Sequence, residues 1–143
     1  PKVILAGRKI NDYMSNYVGK NIIKLLSAKK KKQKILILGA SFKENCNDLR
    51  NSKIFDTINF LEKKGMKVYV YDPLVPKSLL KKKAKLVVDK LNRKNFYDAA
   101  LVSVKHDKIK SLGIKNIRRN LTKKGLVIDL KSTFARSQVD WNL

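Results

Sequence analysis

The sequence predicts an α/β fold: a Rossmann-like parallel sheet with helices on both faces, preceded by a long N-terminal helix. Three observations predict it. Short apolar runs (KILILG, MKVYVYDP, YDAALVSV, GLVIDL) alternate with segments whose apolar residues recur every three or four positions. KILILG is continuously apolar, as a strand buried on both faces is. Ahead of these runs, residues 2 to 28 carry one unbroken helical period.

Pro1 suits the first turn of that leading helix. Val3, Gly7, Ile10, Met14, Val18, Ile22 and Leu25 fall on one face; Lys9, Asp12, Asn16, Lys20 and Lys24 fall on the other. An apolar face this long needs something to pack against. SAKKKKQK, residues 27–34, reads as a polar linker. The chain therefore divides into a helix and linker, 1–33, and a sheet domain, 34–143. In SKIFDTINFLEKKG, Ile54, Ile58 and Leu61 share a helical face and Gly65 marks the stop. MKVYVYDP is a second strand ending at Asp72-Pro73. KLVV, 85–88, is a third, and DKLNRKNF, 89–96, a short helix. YDAALVSV is the next strand, HDKIKSLGIKNIRRNL is helical in part, and GLVIDL, 125–130, is the last strand. Alternation at this spacing gives βαβ units, and their ligands bind beyond the carboxyl ends of the strands. Those ends are the Gly39–Ser52 loop, Asp72-Pro73, the segment after Val104, and Asp129-Leu130-Lys131.

A length of 143 residues, 43% of them hydrophobic, suits one globular domain plus an appended element. A single cysteine, Cys46, excludes an internal disulfide and points to a reducing, cytoplasmic setting. No apolar run reaches the roughly 20 residues of a membrane helix, and the first residues do not resemble a signal peptide. A start without Met points to a piece of something longer. The net charge of +23 invites a nucleic-acid reading. Against it, 28 of the 34 basic residues are lysines spread along the whole chain, without the arginines that read bases or the aromatic motifs of an RNA-binding sheet. The charge fits a solvated surface and the attraction of small anions.

Lys43 stands in the loop after the first strand, where a cation can meet a phosphate, carboxylate or sugar oxygen; a solvated lysine is the alternative. Arg50 follows Asp48, so a local ion pair is open to it. Cys46 lacks a neighbouring base in sequence and is a poor nucleophile candidate; the single histidine, His106, reads as a surface residue at a helix N-terminus. One Cys and one His do not make a zinc site. Asp72 occupies the place where an acidic residue holds the ribose of NAD in dinucleotide folds, but no glycine-rich fingerprint precedes it, and a turn-forming Asp-Pro fits better.

The stretch GASFKENCNDLRNSKIFDTINFLEKKGMKVYVYDP resembles the third-domain signature of the UDP-glucose/GDP-mannose dehydrogenase family: G-x-x-F-K-x-x-x-x-D-x-R-x-S, a helix, then V-x-x-Y-D-P. AGRKINDYM is similar to the family's central helix, and LVIDLKSTFARSQVD to its final strand and D-x-K/R element. The branch resembled is the UDP-N-acetylhexosamine 6-dehydrogenases of Vi-antigen, capsule and O-antigen synthesis, which share A-G-R-x-I-N-D and F-K-E-N-C. The resemblance implies an NAD-dependent oxidation of a sugar C6 alcohol to a carboxylate. It also implies that the nucleophilic cysteine and the NAD domain lie in parts absent from this chain, so Cys46 is not that nucleophile. Phe42 and Lys43 match the pair that contacts the nucleotide sugar, and Lys131 the basic residue facing substrate. Arg50 matches the arginine that reaches NAD. Arg8 and Asn11 match the central-helix motif near the cleft and dimer contact. Asn47 departs from the branch's usual proline. The expected partners are a UDP-sugar, the remaining N-terminal domains, and a second copy bound through the N-terminal helix, with no nucleic acid and no membrane. Two other readings stay open: a basic module for nucleic acid, and a stand-alone regulatory nucleotide-binding domain.

Overall fold

The computed structural model describes Met14, residues 16–26 and residues 32–142. Residues 16–26 form helix α1. Strand β1 (Lys34–Leu38), helix α2 (Ile54–Lys63) and strand β2 (Lys67–Tyr71) follow, then α3 (Lys77–Leu80), β3 (Leu86–Val87) and β4 (Tyr97–Val102). Helices α4 (Asp107–Lys110) and α5 (Ile114–Arg119) lead to β5 (Leu121–Asp129) and, after a 3₁₀ turn at Arg136–Gln138, to β6 (Trp141–Asn142). The sheet order is β3-β2-β1-β4-β5-β6, and every neighbouring pair is parallel. The chain builds outward from β1 to β3, then crosses back to lay β4 against β1. The crevice between the carboxyl ends of β1 and β4 is the switch point where such sheets bind ligands.

Side-chain alternation on β1 shows why both faces are covered. Ile35 and Ile37 enter one core with Ile54, Ile58 and Leu61 of α2. Leu36 and Leu38 enter the other with Ile109 of α4 and Ile117 of α5. All four β1 residues are fully buried, so neither face of the strand tolerates a polar residue. Helix α2 stops just before Gly65, the stop the sequence predicts, whose φ is +89°, and the Met66 N–H closes back onto the Leu61 carbonyl at 3.2 Å.

Helix α1 corrects one expectation. Val18 and Ile22 were expected on a face requiring another copy of the chain; instead they sit in the core with α2 and β1. Gly19 permits the approach: a Cβ there would lie 2.4 Å from Cδ1 of Phe60. Gln33 ties the end of this helix to the start of β1, its Nε2 donating to the Leu26 carbonyl. Val3, Gly7 and Ile10 lie outside the described residues.

Two further expectations change, and one element appears that the sequence does not predict. Residues 89–96 are not helical. The segment is pinned by side chains instead: Asp89 pairs with Lys77, the Arg93 N–H donates to Asn120 Oδ1, and the Arg93 guanidinium lies 4.4 Å from the Phe96 ring centroid. Residues 77–80, which have no periodicity to read, form a short helix. GLVIDL is not the last strand: β5 starts earlier, at Leu121, with a register shift between Tyr97 and Ala99 of β4. Strand β6 then pairs beyond it, Ile128 against Trp141 and Asp129 against Asn142.

Candidate functional site

The Gly39–Ser52 loop leaves β1 through a conformation that only glycine adopts easily. Gly39 has φ of +95°, its N–H bonds to the Tyr71 carbonyl at 2.8 Å, and a Cβ would fall 2.6 Å from Cβ of Val104. The Ser103 hydroxyl donates to the Gly39 carbonyl, so the ends of β1 and β4 are tied together. Asn45 and Asn51 also take positive φ, 55° and 61°, which Asn tolerates better than most residues.

Behind the loop lies a buried polar cluster. Asp72 is 5% exposed and His106 fully buried. Asp72 Oδ2 accepts the Ala40 N–H at 2.8 Å, the Ser41 N–H at 3.2 Å and a bond from His106 Nε2 at 3.0 Å. Its Oδ1 accepts the Leu74 N–H at 2.9 Å, the expected Asp-Pro turn bond. Burial pushes the Asp72 carboxyl up, but the bonds from His106, Ala40 and Leu74 outweigh it and hold the group below its ordinary value. His106 Nδ1 accepts the Asn45 N–H at 2.9 Å, which places the ring proton on Nε2. His106 thus starts α4 as predicted, but in the interior rather than at the surface. The sequence could not show this, because its partner lies 34 residues away.

In front of the loop is a cavity of about 640 Å³ at the switch point. Phe42, Lys43 and Lys131 all line it. So do Lys53, at the start of α2, and Lys105, just past β4; these two are lost to sequence reading among 28 lysines. Four lysines against Glu44 make the cavity cationic, while Val18, Ile54, Val104 and Leu130 give it an apolar side. Lys131 follows a turn built by the buried Asp129, whose carboxylate accepts the Lys131 and Phe134 N–H groups. A cleft of this kind suits a ligand with an anionic end and a less polar body.

The remaining candidates lie elsewhere. Arg50 does not line the cavity. Its side chain is 86% exposed and makes a two-pronged pair with Asp48, 2.9 Å at the shorter contact. The hydrogen bonds and charge of Arg50 lower the Asp48 carboxyl. Cys46 is a free, half-buried thiol whose sulfur accepts the Asp48 N–H at 3.3 Å. Both nitrogens of His106 are engaged by Asn45, Asp72 and Ser41, so neither is available as a base for it. Arg8 and Asn11 lie outside the described residues. Among the described residues, no group of three His, Cys, Asp or Glu is placed to hold a metal, and no helix is long and apolar enough to cross a membrane. A second groove, of about 560 Å³, runs beside β3 and is lined by Tyr69, Lys81, Lys85, Lys90 and Arg93.

The family model described as the UDP-glucose/GDP-mannose dehydrogenase family, UDP binding domain, matches residues 36–136. The chain belongs to that family. The UDP-N-acetyl-D-glucosamine 6-dehydrogenase of Salmonella typhi is 36% identical over the whole chain, which covers 34% of that enzyme. Protein CapL of Staphylococcus aureus is 38% identical over 92% of the chain, or 31% of its own length. The chain thus spans about a third of the curated relatives it matches, corresponding to a C-terminal portion. Among solved structures, the UDP-N-acetyl-mannosamine dehydrogenase Cap5O of Staphylococcus aureus superposes with a TM-score of 0.76 at 24% identity, over 99% of this chain and 33% of that one. That likeness shows the fold: the six-stranded parallel sheet is the dehydrogenase family's C-terminal architecture.

Proposed function

We propose that this chain is the nucleotide-sugar-binding part of an NAD-dependent UDP-N-acetylhexosamine 6-dehydrogenase serving surface-polysaccharide synthesis. The observation that carries the reading is the cavity at the β1/β4 switch point. It gathers Phe42, Lys43 and Lys131, the three residues that the family signature assigns to substrate, beside two more lysines. The lysines supply charged donors to a diphosphate or a sugar oxygen. Phe42, 57% exposed, offers an apolar ring to the base or sugar. The loop contributes one wall, and the rest of the full-length enzyme would contribute the other; Arg8 and Asn11 are included among the substrate-facing residues on the resemblance alone.

NAD does not fit this domain as it fits a dinucleotide-binding sheet. The loop has no glycine-rich cradle, and the Asp72 carboxylate is occupied by protein donors on both oxygens. Arg50 is the one residue proposed to reach the cofactor, from its exposed site outside the cavity. The chain carries no thiol placed for the oxidation, so binding and orientation are its part in the reaction. The same reading includes a homodimer through the N-terminal helix and a cytoplasmic setting.

Titration of UDP-N-acetylglucosamine into the chain tests the proposal. Lys43→Ala and Lys131→Ala each remove a charged hydrogen bond worth roughly 1.5–3 kcal/mol, which lowers affinity about 10- to 100-fold. Unchanged affinity in both variants would leave two ordinary surface cations and sink the assignment.

A further inference from the structure

The loop that carries Phe42 and Lys43 has a specific means of support. The turn Ser41–Asn45 is held at both ends by one buried pair. At its start, the Ser41 N–H reaches Asp72 Oδ2 at 3.2 Å, and Ser41 Oγ lies 3.2 Å from His106 Nε2. At its end, the Asn45 N–H donates to His106 Nδ1 at 2.9 Å, and Asn45 Oδ1 accepts the Asp107 N–H at 2.9 Å. Within the turn, the Ser41 hydroxyl donates to the Lys43 carbonyl at 2.8 Å. The side chains of Phe42 and Lys43 are themselves exposed, so no packing of their own fixes them. The backbone beneath them does: the Phe42 N–H bonds to the Asp48 carbonyl at 2.7 Å, and the two ends of the turn hang on His106 and Asp72.

We propose that the Asp72–His106 pair is a latch that positions Phe42 and Lys43, and through them sets the grip on a nucleotide sugar, without either residue touching the ligand. The inference rests on the reading of the cavity given above. An apolar pair of the same volume would fill the space and avoid the desolvation of a carboxylate. It could not bind the Ser41 and Asn45 amides. The imidazole is suited to the task because it has a donor on one edge and an acceptor on the other. It therefore bridges the β1 loop, the Asp72-Pro73 turn and the start of α4 with one ring.

Two substitutions separate the edges. His106→Gln keeps an amide donor within reach of Asp72 but leaves the Asn45 N–H unpaired. His106→Asn offers an oxygen to Asn45 but falls short of Asp72. Each is measured alone and with Lys43→Ala, by affinity for UDP-N-acetylglucosamine, by melting temperature and by hydrogen exchange at the Ser41 and Asn45 amides. Loss of one hydrogen bond in the support predicts an affinity drop of about 3- to 10-fold in either single variant. On top of Lys43→Ala the same change should cost clearly less than it does alone, because the part of the latch that acts through Lys43 is already gone. Exchange at Asn45 should accelerate in His106→Gln and not in His106→Asn. Full additivity with Lys43→Ala would overturn the proposal and leave the pair as support for the fold alone. Should either variant fail to fold, Ser41→Ala removes only the hydroxyl that joins His106 to Lys43; the latch predicts weakened binding that does not add to Lys43→Ala, and full additivity would overturn it. Should the unaltered chain bind no nucleotide sugar, the reading of the cavity fails separately; unchanged Asn45 exchange in His106→Gln would then refute the latch as well.

Discussion

Replacing Asp72 by Asn tests the interior of the site through stability. Four donors converge on this carboxylate: the Ala40, Ser41 and Leu74 N–H groups and His106 Nε2. A carboxamide has one accepting oxygen. If that oxygen faces Ala40, Ser41 and His106, the new NH₂ meets the Leu74 N–H, and one donor on each side is stranded. The charge that strengthened the other bonds is lost too. A stranded buried donor costs about 1–3 kcal/mol, and weakened charge-assisted bonds add to it, so the total is about 2–4 kcal/mol at neutral pH. For a domain of this size the melting temperature falls by about 5–15 °C. The pH dependence sharpens the test. The folded-state carboxyl is lowered from 3.8, so its contribution is complete above the unfolded value and is lost as the pH falls through the folded one. The gap between wild type and Asp72→Asn should therefore be constant from pH 7 to about 5 and close below about 4. The assay is thermal unfolding followed by circular dichroism between pH 7 and 3. A gap absent at pH 7, or unchanged down to pH 3, would refute the reasoning.

Gly39→Ala forces a β-carbon to within 2.6 Å of Val104 Cβ at a φ of +95°; the backbone term alone costs about 1–2 kcal/mol, and equal denaturant midpoints would show the loop to be freer than described. Ile22→Ala empties a fully buried position between α1 and the sheet and should cost about 2–4 kcal/mol in chemical unfolding; a loss under about 1 kcal/mol would mean that α1 is not docked on its own domain in solution. Arg50→Ala breaks only an exposed ion pair, so the melting temperature should not move, while on the proposed function the KM for NAD of a full-length enzyme should rise. An unchanged KM there returns Arg50 to a local loop contact.

The parts of the fold legible in the sequence are those where burial leaves a periodic trace. Strand β1 reads directly because Leu36 and Ile37 face opposite cores and both must be apolar. Helix α2 reads because Ile54, Ile58 and Leu61 recur on one face. Strand β6, with two residues, and α3, with four, are too short to show a period. The segment 89–96 misleads because it is held by Arg93 and Asp89 contacts that leave no pattern in one dimension. Of the cavity's lining, Lys43 stands out in the sequence by its place after β1, and Phe42 and Lys131 by their match to the family signature. Lys53 and Lys105 were hidden in a lysine-rich background. His106 was placed correctly in the chain and misplaced in space, since its burial depends on Asp72, a residue on another strand end.

The most direct test is an NMR titration of UDP-N-acetylglucosamine into the isotopically labelled chain. The account predicts shifts concentrated at the amides of residues 41–44, Lys53, Lys105 and Lys131, around the switch-point cavity. Shifts confined to the basic groove at residues 86–93, or none that saturate, would contradict the claim that this cavity holds the nucleotide sugar.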